Sequence, residues 1–302
     1  MRILLIHNPK AGDRKHSKKQ LMLSLRRCGL EAFYQPIQKR GWKQAFKKPV
    51  DVVVAAGGDG TVHKTAWQLI GCGIPLAILP LGTANNLARS LGFTAPVEEI
   101  IQSLHCGKSR PFDVGVVRRS SRPEYFLEAV GGGLFAHYFS AAEADEKKNA
   151  SPEEELNAHL SLLRRLSLDY PVRRWQITID GKDLSDGYIL WGAMNIRSAG
   201  PALRLAPKAK TDDGLLDFVA VREKERPLFT EYLNARLAGK KTGFPLRVRK
   251  FRELQISRRG STMHFDGEVR PAQGHKPKSQ SPIKIMAWPA ALVVWRRVLH
   301  PA

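Results

Sequence analysis

The 302-residue sequence predicts two domains of different class: a parallel α/β domain over 1–112 and an antiparallel β domain over 113–289. Three observations carry this reading. The first hundred residues alternate short apolar runs with apolar stripes at helical spacing, the pattern of βαβ units. Beyond about residue 112 the chain reads as short strands broken by Asp-Gly dipeptides, which mark hairpins. With 43% apolar residues, the chain can fill two cores of ordinary size.

In the first domain the apolar run 3–6, ended by Asn8-Pro9, is the first strand. Leu21, Leu25 and Cys28 recur at helical spacing, and Gly29 stops that helix. Residues 50–56 form a continuous β-branched run, as in a strand buried on both faces. Val62, Ala66, Leu69 and Ile70 give the next helical stripe, with the helix opening near Val62 and Thr61 as its N-cap. Residues 74–79 are a further buried strand, followed by a helix over 84–91 and another through Val97, Ile100, Ile101 and Leu104.

In the second domain, strands are expected at 112–118, 125–131, 175–180, 188–196, 215–221, 253–257, 263–265 and 283–287. Asp180-Gly181 and Asp266-Gly267 suit type I′ turns, whose central residues both need positive φ. Two helices interrupt these strands. One opens at Ser151-Pro152-Glu153-Glu154, a capping box with proline at the first helical position, and the other runs from about Pro227 to Ala238 before Gly239. Residues 275–281 read as a surface loop. The last apolar run, 291–295, fits either domain, so 290–302 is a candidate for completing the first.

Composition narrows function. Forty-nine Lys and Arg against twenty-eight Asp and Glu leave a net charge of +21, which favours polyanionic partners: nucleic acid, an anionic membrane surface or phosphorylated ligands. Much of that excess lies in two stretches, 1–48 and 240–259. Three cysteines without a CxxC pair argue against a disulfide framework or zinc knuckle, and nine histidines without HxxxH or HExxH spacing argue against zinc hydrolysis. No apolar run approaches the roughly 18 residues of a membrane span. The expectation is a cytoplasmic protein that meets a membrane only peripherally.

The strongest motif is Gly57-Gly58-Asp59-Gly60-Thr61, placed between a buried strand and a helix. Glycines there let a phosphate chain approach the backbone, and the N–H groups of the helix start point at it. A carboxylate beside phosphates repels them unless a cation intervenes, so Asp59 implies Mg²⁺. Pro80-Leu81-Gly82-Thr83-Ala84-Asn85-Asn86 forms a second strand-to-helix turn, and Asn8-Pro9-Lys10-Ala11-Gly12 a third. All three belong to the carboxyl edge of one parallel sheet, where open α/β sheets bind ligands.

Together with Glu128-Ala-Val-Gly-Gly-Gly133, Pro207-Lys-Ala-Lys210-Thr-Asp-Asp213-Gly-Leu215 and Phe265-Asp266-Gly267-Glu268, these motifs make the sequence resemble the diacylglycerol kinase catalytic family in its bacterial branch. The resemblance implies a Rossmann-like N-terminal nucleotide domain and a C-terminal β-sandwich, the fold shared with NAD kinases. It implies ATP and Mg²⁺ as cofactors and a lipid hydroxyl as phosphoryl acceptor. Carried over by residue, it assigns nucleotide contacts to Gly57, Gly58, Asp59, Gly60, Thr61, Val62, His63, Gly82, Thr83 and Asn85, with Asn8, Pro9, Gly12 and Glu268 in addition. Asp266 matches the proton acceptor. Lys210 and Leu215, through backbone oxygens, and Asp213 match a structural Mg²⁺ site, while Asp59 and Asp113 match acidic residues near the catalytic Mg²⁺.

The sequence departs from the pattern at His63-Lys64, where Asn-Glu is expected, and at Asn85-Asn86, where Asn-Asp is common. The segment 37–42 also lacks an expected Thr and Gly-Asp-Ala. The reading is a lipid kinase acting on diacylglycerol or a related lipid at an anionic membrane surface. Its rivals are an NAD kinase-like enzyme and a non-catalytic basic protein that binds lipid or nucleic acid on a kinase scaffold. No helix-turn-helix, RRM or zinc signature is present to read bases. Oligomeric state, a homodimer included, is left open.

Overall fold

The computed structural model describes residues 1–12, 16–119, 122–144, 151–257, 262–270 and 282–297. Lys15, Arg258, Arg259 and the expected loop 275–281 lie outside them. The chain divides into two compact units, one formed by Met1–Phe112 with Ala290–Ala302 and the other by Asp113–Pro289. The chain passes between the units within β5 (Gly107–Arg118) and again within β16 (Ile283–Arg297).

Unit 1 is a parallel sheet flanked by helices. β1 (Arg2–His7) pairs in parallel with β2 (Glu31–Pro36) and β3 (Val52–Gly57), and β3 pairs with β4 (Leu76–Pro80). Val294 of β16 adds in parallel beside Leu76. Every residue of β3 is buried, which is why its side chains form an unbroken apolar run. α1 (Lys18–Arg27) buries Leu21 and Leu25, opens with a capping box between Ser17 and Gln20, and stops before Gly29 at φ +66°. α2 (Asp59–Ala66), α3 (Asn86–Leu91) and α4 (Val97–Ser103) follow.

Unit 2 is antiparallel. β7 (Ala129–Gly133) lies between β14 (Met263–Phe265) and β10 (Asp186–Met194); β14 continues to β15 (Glu268–Arg270), and β10 to β11 (Leu216–Arg222) and β12 (Arg249–Phe251). β8 (Arg173–Ile179) pairs with β9 (Lys182–Asp183), with the start of β10 and with β13 (Glu253–Ser257), which pairs with residues 283–286 of β16. β6 (Glu124–Phe126) pairs with β5. Trp175, Trp191, Phe218, Leu254 and Phe265 fill one core. A second core packs α5 (Leu134–Ala144), α6 (Pro152–Asp169) and α7 (Arg226–Leu237) through Phe135, Leu163 and Phe229 against Leu190 and Val219.

Local differences from the sequence reading have physical causes. α2 starts at Asp59, not near Val62: Gly58 is its N-cap, and Thr61 sits in its first turn as a buried packing residue. α3 starts two residues later than expected because Asn85 takes a left-handed conformation, φ 48°. Among the described residues, unit 2 holds three α-helices, not two. α5 follows the glycine strand and is apolar on most sides, so its periodicity is weak. Asp180 and Asp266 have φ of 47° and 50°, and the glycines after them 77° and 88°, as type I′ turns require.

Candidate active site

Three loops meet at the carboxyl edge of the unit 1 sheet. The Leu81 N–H donates to the Gly57 carbonyl (3.0 Å), tying the loop after β4 to the one after β3. Gly58 and Gly82 touch backbone to backbone: a Cβ on Gly82 would lie 2.5 Å from the Gly58 Cα. Gly12, at φ +56°, lies so close to the Leu81 carbonyl that any side chain would strike it. The Asn8 N–H donates to the Ala56 carbonyl (2.9 Å), and the Asn8 side-chain oxygen accepts from the Lys10 N–H (3.1 Å) and from the Gln38 amide. Pro9 is exposed beside it. Protein packing therefore explains Gly12, Gly58 and Gly82. It does not explain Gly60, which is exposed and whose Cβ would meet nothing within 4 Å.

The side chains around this edge divide by task. Asp59 accepts from the N–H groups of Asn86 (3.1 Å) and Leu87 (3.3 Å), so it caps α3, whose own N-cap residue makes no side-chain bond to the helix. A carboxylate there also faces the positive end of the helix dipole. Asn85 is committed to its own loop: its oxygen accepts from the Gly82 N–H (3.1 Å) and its amide donates to the Gly82 carbonyl (2.5 Å). Val62 and His63 are buried, His63 against Trp67 with ring centroids 6.4 Å apart, so any ligand contact at these positions comes through the backbone. Thr83 is half-buried on the same loop.

In unit 2 the Asp266 carboxylate is held by three main-chain donors. The Leu127 N–H bonds Oδ2 at 2.8 Å, and the N–H groups of Glu128 and Ala129 bond Oδ1 at 2.7 and 3.1 Å. Its own N–H donates to the Ala129 carbonyl (2.9 Å). The side chain is thus fixed in direction while half-exposed, and Oδ2 keeps a second lone pair. Glu268 points outward, 3.7 Å from Arg270. Asp113 is buried and accepts from the Gly214 N–H (2.7 Å); its N–H donates to the Thr211 carbonyl (2.7 Å). Asp113 thereby holds the turn that carries Lys210, Asp213 and Leu215.

Comparison with known proteins decides the family. Residues 2–117 match the diacylglycerol kinase catalytic domain, and residues 138–296 match the YegS C-terminal NAD kinase beta sandwich-like domain. A protein of Escherichia fergusonii named "Probable lipid kinase YegS" is 30% identical over 222 residues, covering 70% of this chain and 72% of its own. The chain belongs to the diacylglycerol kinase–YegS family. A protein named diacylglycerol kinase in Bacillus subtilis is 26% identical over 251 residues, 79% of each chain. A solved diacylglycerol kinase of Bacillus anthracis superposes with a TM-score of 0.70, covering 97% of this chain and 96% of that one, at 22% identity; it bears on the fold alone. The chain is therefore a kinase with an α/β N-terminal domain and a C-terminal β-sandwich.

The family implies Mg²⁺, and the residues of this kinase answer differently at its two positions. The Asp213 carboxylate bonds the Lys250 ammonium at 2.6 Å, and its Oδ1 accepts from the Leu215 N–H (3.2 Å). Lys250 stands directly across from buried Asp217 in the β11–β12 pair, 3.6 Å from its Oδ2. Burial pushes the Asp217 carboxyl above its usual range against the pull of Lys250. Burial also works against the Lys250 charge, yet the hydrogen bond to Asp213 and the field of Asp217 hold its ammonium above the ordinary lysine range. A protein cation already neutralises this turn, so it does not fit a divalent ion as it stands. Asp59 does fit: each oxygen accepts one N–H and retains a lone pair toward a cation. Among the described residues, no group of three or more His, Cys, Asp or Glu gathers as a metal cluster.

Proposed function

We propose that the chain is an ATP- and Mg²⁺-dependent lipid kinase that transfers the γ-phosphoryl group to the hydroxyl of diacylglycerol or a related lipid. The observation that carries this is Gly60, an open glycine in the first turn of α2, beside two loops whose other glycines are explained by mutual contact. The early N–H groups of α2 face the phosphates there, in the manner of anion sites at helix N-termini. Mg²⁺, when bound with the nucleotide, offsets charge on the β and γ oxygens.

Asp266 takes the proton of the attacking hydroxyl on the free lone pair of Oδ2. Three N–H donors keep that oxygen aimed without help from a neighbouring side chain. Positioning and electrostatics supply most of the acceleration in such transfers. The test is incubation with γ-labelled ATP, Mg²⁺ and a total lipid extract, with NAD in a parallel arm. Label in a lipid phosphate supports the reading; label in NADP, or in neither, overturns it.

A further inference from the structure

From the hydrogen bonds at the end of β10 we infer that Asn195 is a positioning residue for Asp266. It fixes the two peptide groups that grip Oδ1, and so leaves Oδ2 as the oxygen that takes the proton. The inference rests on the reading of Asp266 as the base, but the geometry beneath it does not.

Asn195 is 1% exposed and follows Met194, which pairs with Ala129 at the start of β7. The Asn195 N–H donates to the Glu128 carbonyl at 2.8 Å, and the Ile196 N–H reaches the same oxygen at 3.4 Å. The Asn195 side-chain nitrogen donates to the carbonyls of Leu127 (3.0 Å) and Asp113 (2.7 Å). Carbonyls only accept, so this atom must be the amide nitrogen, and both of its hydrogens are engaged. The Asn195 Oδ1 has no donor among the described residues. Burying an idle acceptor is costly. A buried side chain with its donors engaged and its acceptor idle is there for its donors.

Those donors stand directly behind the grip on Asp266. A peptide group holds the carbonyl of one residue and the N–H of the next in one plane. The Leu127 carbonyl therefore shares a plane with the Glu128 N–H, which bonds Oδ1 of Asp266 at 2.7 Å. The Glu128 carbonyl shares a plane with the Ala129 N–H, which bonds the same oxygen at 3.1 Å. Asn195 holds the back of both peptides, one through its side chain and one through its main chain. Turning either plane swings an N–H off the carboxylate and breaks a bond to Asn195. Donation to a carbonyl also polarises its amide, which strengthens the N–H bond on the other side.

The donor to Oδ2, the Leu127 N–H at 2.8 Å, belongs to the preceding peptide. The carboxylate is thus gripped at Oδ1 by two reinforced donors and left with one at Oδ2. The second hydrogen of the Asn195 amide secures its far side. It bonds the main chain of Asp113, which itself holds the 211–214 turn. In the sequence Asn195 is one polar residue in the expected strand 188–196 and belongs to no motif.

The test is kinetics and amide spectroscopy on Asn195→Ala, Asp266→Asn and the double variant, with ATP, Mg²⁺ and dioctanoylglycerol in detergent micelles. Asn195→Ala should lower kcat about 10- to 100-fold, with KM for ATP and for dioctanoylglycerol within about twofold of wild type. Made in the Asp266→Asn chain, the same change should cost less than about twofold more, because a residue that acts through the base then has nothing to aim. A merely structural residue would cost the same in both chains. In proton–nitrogen correlation spectra, the Glu128 and Ala129 amide protons should move upfield in Asn195→Ala. If that variant folds poorly, wild type and Asp266→Asn suffice: changing the carboxylate should shift the Asn195 side-chain amide through the two peptides. Wild-type kcat in a folded Asn195→Ala, equal losses in both chains, or an Asn195 amide indifferent to Asp266→Asn would overturn the proposal. Activity retained in Asp266→Asn would overturn the base reading and the proposal with it. If the wild type does not label dioctanoylglycerol, the diacylglycerol reading falls, and the amide shifts still decide the proposal.

Discussion

Gly60→Ala separates what the fold needs from what the ligand needs. The position lies in the first turn of α2, its φ is outside the left-handed region, and a Cβ there meets nothing within 4 Å. Alanine is better than glycine in a helix by about 0.5–1 kcal/mol, so the melting temperature should rise by roughly 1–3 °C for a chain of this size. ATP affinity should nevertheless fall by about tenfold or more, because the new methyl stands where phosphate must approach the backbone; tenfold is about 1.4 kcal/mol. Gly82→Ala is the contrast. Its Cβ would lie 2.5 Å from the Gly58 Cα, and the collision should cost about 1–3 kcal/mol of stability. Calorimetric titration with a non-hydrolysable ATP analogue, run beside thermal melts, reads both quantities. Unchanged affinity in a stable Gly60→Ala protein would refute the reasoning, and a drop of several degrees would show that the glycine serves the fold.

Three further outcomes are expected. Asp266→Asn should lower kcat by roughly 10²–10⁴ with ATP affinity retained, and should also lose about 1–3 kcal/mol of stability, since an amide NH₂ must face one of the three main-chain donors; more than a third of wild-type turnover would remove it as base. Lys250→Met should leave Asp213 and buried Asp217 unneutralised, so that Mg²⁺ raises the melting temperature of the nucleotide-free variant but not of the wild type; equal response in both would show that the turn binds metal with the lysine in place. His264 is buried between Phe135 and Phe139 with neither ring nitrogen bonded among the described residues, and burial takes its pKa down to about 3. It takes up a proton only on unfolding between about pH 6.5 and that value, so stability falls as pH drops through the window. Relative to wild type, His264→Leu should therefore be spared about 2 kcal/mol of loss between pH 6.5 and 5 in urea melts; parallel losses would contradict the assignment.

What could be read from the sequence was local. The β3 run, the Ser151–Glu154 capping box and the two Asp-Gly turns each rest on neighbours within four residues, and the structure shows each of them. What could not be read depends on distant partners. Asp59 serves donors 27 and 28 residues away, and Asp266 serves donors 137 to 139 residues away. Lys250 meets Asp217 only because β11 and β12 pair in that register. The basic stretch 240–259 was visible as charge, but nothing in its spacing tells a lysine that neutralises a buried aspartate from one that faces solvent. Likewise Thr61 has the chemistry of an N-cap, and only the early start of α2 makes it a packing residue against Gly57.

The central claim is that the three loops after β1, β3 and β4 cradle the nucleotide's phosphates. Amide hydrogen exchange with and without a non-hydrolysable ATP analogue and Mg²⁺ tests it most directly. The account predicts new protection at 8–12, 57–63 and 81–86, and its loss in Gly60→Ala. Protection confined to other segments, or the same protection in Gly60→Ala as in the wild type, would contradict it.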